Sequence, residues 1–140
     1  MMKHILILLA TTFLLLSGAL LGTGCGSKDA ATPITGAELA ALIEDGSAPL
    51  ILDVRTTAEY AQGHIPGAMN IPHTELGKRL SELGVAKSDE IVVHCQSGRR
   101  AQTAESILRE NGYTKIRDLT GHWQGWTAAK LPTVSGNTLR

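Results

Sequence analysis

Two stretches constrain the fold more than anything else in the chain: PLILDVR, residues 49–55, and DEIVVHC, residues 89–95. Each is a short, almost unbroken apolar run. A strand with one wet face alternates apolar and polar residues, whereas a continuous run marks a strand covered on both faces. Such strands belong to parallel sheets sandwiched between helices.

The segments around these runs carry helical patterns. In TGAELAALIEDG, Thr35 is placed to cap a helix with Glu38 as its capping-box partner. Leu39, Leu42 and Ile43 form its apolar stripe, and Gly46 ends it. TTAEYAQG predicts a brief helix closed by Gly63. HIPGAMNIP, punctuated by Pro66, Gly67 and Pro72, leaves room for a short strand over 68–71. HTELGKRLSELG predicts a helix started by His73, with Leu76, Leu80 and Leu83 on one side. The clearest helix is RRAQTAESILRENG, where Ala101, Ala104, Ile107 and Leu108 share a face and Asn111-Gly112 ends it. TKIRDL is the last strand, and GHWQGWTAAKLP a turn and a short helix. The expected fold is one α/β domain over 34–134, a mainly parallel central sheet with helices on both faces. Residues 135–140 are expected to be a mobile tail.

The first residues do not fit this pattern. Lys3 precedes an apolar run from Ile5 to Leu16, then small residues lead to Cys25. That is the layout of a secretory signal peptide, and the run is too short for a span of about 20 residues. Cysteine after LGTG resembles the lipobox of bacterial lipoproteins, although Gly22 stands where leucine is usual and Leu21 is one position further back. The expectation is a signal over 1–24, lipidation of Cys25, and a tether over 25–33. The chain would then be an exported, membrane-anchored lipoprotein on the periplasmic or cell-surface side.

Zero formal net charge gives no sign of a nucleic-acid binder. Of the two cysteines, a lipidated Cys25 cannot pair, which leaves Cys95 as a lone thiol in an oxidising compartment. Such a thiol is either buried and inert or exposed and used. Cys95 ends a buried strand and precedes the clearest helix, at the strand edge where α/β active sites lie. The helix amino end, Arg99 and Arg100 favour a thiolate and an anionic ligand. Gly98 allows the backbone N–H groups to converge. His94 is adjacent, but neighbouring strand residues face opposite ways, so it reads as a packed structural histidine.

LDVRTTAEYAQGHIPGAMNIP resembles the signature of rhodanese-homology domains, and LTGHWQGW resembles their closing segment, with His122 where a second glycine is common. The resemblance runs from about Ile34 to Pro132, and is nearest to exported single-domain thiosulfate sulfurtransferases. It implies that catalytic Cys95 takes the outer sulfur of thiosulfate, or of a similar anionic donor, as a persulfide. Cyanide or a thiol then accepts the sulfur, without metal or organic cofactor. Backbone N–H groups of Gln96, Ser97, Gly98, Arg99 and Arg100 would cradle the charge. Asp53 and Arg55 would support the loop, and His64 would make a structural hydrogen bond. A monomer suffices for this chemistry.

The same fold serves dual-specificity phosphatases and some arsenate reductases. Those phosphatases resemble His-Cys, five residues, then Arg; here Ala101 takes the arginine's place and Arg100 comes one residue early. The shorter loop is expected to close on a single sulfur rather than on a tetrahedral phosphate. A sulfur-relay or redox module is the alternative, with phosphatase and arsenate reductase behind it.

Overall fold

The computed structural model describes residues 30–136. The segment expected to be a signal peptide, Cys25 and most of the expected tether lie outside the described residues. Five strands form one sheet in the order β1-β5-β4-β2-β3, every pairing parallel. They are β1 (Thr32–Ile34), β2 (Leu50–Asp53), β3 (Met69–Asn70), β4 (Glu90–His94) and β5 (Lys115–Leu119). The helices are α1 (Gly36–Glu44), α2 (Thr57–Gln62), α3 (Leu76–Arg79), α4 (Arg99–Glu110) and α5 (His122–Ala128).

The two apolar runs are buried on both faces, as expected for inner strands. Leu52, Ile91 and Val93 pack with Leu76, Ala101, Ala104 and Leu108 under α3 and α4. Ile51 and Val92 pack on the opposite side with Leu39, Tyr60 and Trp126, from α1, α2 and α5. Connections after β2 lead outward to β3, while those after β4 lead the other way to β5. The carboxyl ends of β2 and β4 therefore flank the topological switch point, where open α/β sheets bind ligands.

Several local expectations are corrected. Thr32 and Pro33, assigned to the tether, belong to β1, where they pair with Arg117 and Asp118 of β5. Proline is tolerated because β1 is an edge strand. At α1 Thr35 accepts the Glu38 N–H at 3.1 Å, but the Glu38 carboxylate turns to Arg117, so the box is half made. The complete capping box lies instead at Thr56 and Glu59 of α2. The helix expected from His73 is a four-residue α3 running into a 3-10 turn over Leu80–Leu83. His73 precedes it and donates its N–H to Val54 O. The segment after Pro132 is tied rather than loose as far as Gly136. Val134 and His64 exchange backbone hydrogen bonds of 3.0 and 2.8 Å, and Gly136 N–H reaches Ala61 O.

Candidate active site

β4 ends at His94, and α4 begins at Arg99. Four residues, Cys95 to Gly98, make the turn between them. Cys95 follows Ile91 and Val93 on the α4 side of the sheet and is 1% exposed. Its sulfur accepts the Gly98 N–H at 3.1 Å. Gly98 has φ of 116°, a conformation that a side chain disfavours, and this turns its N–H inward. The loop is held from the other side by α5: Trp123 N–H donates to Cys95 O at 3.0 Å and Gln124 N–H to Gln96 O at 3.2 Å.

The choice between a buried inert thiol and an exposed reactive one was too coarse. The thiol is buried, yet it sits against an inward-pointing N–H at the amino end of α4 rather than in an all-apolar site. Gln96 is partly exposed, while Ser97 and Arg99 are exposed. Of the five N–H groups expected around the sulfur, Gly98 is the one that bonds it.

Arg100 lies close enough to Cys95 for the two groups to interact, and it is also paired. Its guanidinium grips Glu59 in two bonds of 2.7 and 2.8 Å. The arginine holds the Glu59 carboxyl down to about 2, so the pair is charged on both sides. Glu59 was missed as a site residue, although the Thr-x-x-Glu spacing of α2 was there to be read.

Asp53 and Arg55, expected to support the loop, pair with each other at the end of β2. Arg55 donates from Nη2 to Asp53 Oδ2 at 2.6 Å and to Gly63 O at 2.8 Å, with both side chains buried. Its guanidinium carbon lies 4.3 Å from the Trp123 ring centre. Val54 N–H donates to His94 O, which joins the two strand ends. Arg55, Glu59, Gln62, Gly63, Gln96 and Trp123 line a cavity of about 330 Å³ beside the loop.

His94 lies on the opposite face from Cys95, paired in register with Asp53. Burial holds its imidazole below the ordinary range, and Nε2 is 3.7 Å from Asp53 Oδ2. His64 stacks on Tyr60 and bonds Tyr60 O through Nδ1 at 2.9 Å, a structural contact.

Residues 35–129 match the Rhodanese-like domain. The chain belongs to the rhodanese-like family. Human thiosulfate:glutathione sulfurtransferase is 36% identical over 101 residues, covering 64% of this chain and 87% of that protein. A Bacillus subtilis protein named as a sulfur carrier, YrkF, is 40% identical over 77 residues, covering 55% of this chain and 40% of that one. The crystal structure of the Anabaena protein Alr3790 superposes with a TM-score of 0.67 at 31% identity, over 75% of this chain and 94% of that one. Rhodanese-type sulfur transfer is thus the chemistry of this domain, and Cys95 stands just past the end of the central strand of its sheet.

Proposed function

We propose that the protein is a thiosulfate sulfurtransferase working through a persulfide on Cys95. The thiolate attacks the outer sulfur of thiosulfate, the S–S bond of the donor breaks, and sulfite leaves with the electron pair. A nucleophile, cyanide or a thiol, then takes the sulfur and returns the thiolate. The observation that carries this reading is the Gly98 N–H on the Cys95 sulfur. A donor already aimed at that atom stabilises negative charge on it without reorganisation. Gln96, Ser97, Arg99 and Arg100 complete the proposed substrate loop, with Arg99 its exposed cation and Arg100 close enough to interact with Cys95. Arg100 is engaged by Glu59, which speaks against its use as a phosphate clamp.

The test is thiocyanate formation from thiosulfate and cyanide, with Cys95→Ser beside the wild type and intact mass taken after thiosulfate alone. Cys95-dependent turnover with a one-sulfur mass gain is expected. No turnover and no mass gain from folded protein would overturn the reading. The likeness to a protein named as a sulfur carrier favours a second reading, a sulfur relay in which a partner protein's thiol is the acceptor. Mass gain without turnover to cyanide would select it.

We also propose export and lipid anchoring at Cys25, on the leader sequence described above. Mass spectrometry of the mature amino terminus decides this, and an unmodified or missing Cys25 would reject it. The protein is proposed to work as a monomer, without cofactor or nucleic acid.

A further inference from the structure

Behind the Cys95 loop lies a polar group that the proposed chemistry does not use. His122 opens α5 with φ of 51°, directly after Gly121 at 77°. A residue with a side chain rarely adopts that conformation, and an observed exception invites a functional explanation. The ring is buried and packs on Gly98: a Cβ added to Gly98 would lie 2.8 Å from His122 Nε2. The same Gly98 donates to the Cys95 sulfur. The residues immediately after His122 carry the two N–H groups that hold Cys95 O and Gln96 O.

The imidazole has its own charged surroundings. From β5, Asp118 Oδ1 lies 3.7 Å from Nε2. From α4, Glu105 is 6% exposed and holds Arg109 at 3.3 Å. From β4, His94 lies near enough to feel the His122 charge. His122 Nδ1, Asp118 Oδ1 and Glu105 Oε1 are buried without a hydrogen-bond partner among the described residues. Burial pushes both carboxyls up, and each feels the other. Burial also holds His122 low, while the Glu105 charge pulls it back up.

We propose that His122 is a positioning residue for the Cys95 loop: its imidazole braces Gly98, and the Asp118 and Glu105 carboxyls set the charge on that brace. The proposal rests on Cys95 as the reacting thiol. A neutral ring packs against Gly98 and leaves the N–H on the sulfur. A protonated ring is drawn toward the carboxyls, and the loop relaxes with it. Thiol reactivity then follows the titration of a group that touches neither the sulfur nor the donor.

The test uses the full chain with His122→Gly, His122→Asn and Glu105→Gln. Glycine and asparagine both tolerate positive φ, so the fold is expected to survive, and circular dichroism checks it. Alkylation of Cys95 by iodoacetamide is followed on its own peptide by mass spectrometry from about pH 5 to 9, across the histidine range. Sulfur loading from thiosulfate is measured in parallel. Both position-122 variants are expected to change the alkylation rate by roughly three- to tenfold, the scale of coupling between contacting residues, and to lose one step of the pH profile. Glu105→Gln keeps that step and moves it to lower pH. A rate within about twofold of wild type and an unchanged profile in both folded variants overturns the proposal. Should both unfold, an unmoved step in Glu105→Gln overturns it. If wild type loads no sulfur but its alkylation still depends on His122, the sulfurtransferase reading fails and the brace stands.

Discussion

The Gly98 N–H points at the Cys95 sulfur from 3.1 Å, one residue before the first turn of α4. That orientation depends on a φ of 116° that residues with side chains rarely adopt, and on the absence of a Cβ facing His122. Gly98→Ala is therefore expected to lower thiosulfate turnover by roughly 100-fold, the lower end of the scale for losing one aimed donor. Steady-state kinetics against wild type checks it. Turnover within about twofold would show that the N–H is dispensable.

The Asp53–Arg55 pair is buried on both sides and satisfied by Gly63 O as well. Removing one member leaves the other charge without its counterion. Asp53→Asn is expected to cost about 3–5 kcal/mol in urea unfolding, the usual result of breaking a buried pair. A cost below about 1 kcal/mol would mean that the pair acts as a surface bridge.

Glu59 ties α2 to the start of α4 through Arg100, and its carboxyl is lowered from 4.5 to about 2. A carboxyl depressed in the folded state contributes stability that is present above its unfolded value and lost as pH falls through the folded one. Wild type should therefore lose stability between pH 4.5 and about 2, and Glu59→Gln should lose less over that window. Denaturant midpoints across the window measure the difference. Parallel slopes would show that the pair contributes nothing there.

Glu105 and Asp118 shift the opposite way, chiefly through burial. A carboxyl raised in the folded state contributes stability fully present below its unfolded value and lost as pH rises through the folded one. Glu105→Gln is expected to raise the denaturant midpoint at neutral pH and to flatten its decline from acid. The Arg109 contact opposes this, so a lowered midpoint would show that the ion pair outweighs the desolvation.

The two apolar runs made the inner strands, the sheet direction and the position of Cys95 legible, because burial on both faces leaves a direct compositional mark. His94 was placed by strand alternation alone. The thiol's burial was not legible, since it depends on how far α4 and α5 close over the loop. The partner of Arg100 was not legible either: Glu59 is 41 residues away, and only the fold brings them together. Thr32 and Pro33 escaped notice because a three-residue edge strand with proline leaves no periodic pattern. His122 stood out as a departure from the family, but its contact with Gly98 required coordinates.

Because every strand runs the same way, the sheet has an entry edge and an exit edge. Cys95 stands on the second, while Thr32 lies level with Val92, partway along. A molecule that reaches the thiol therefore meets the turns after β2 and β4 and the amino end of α4 rather than the turns that lead into the strands.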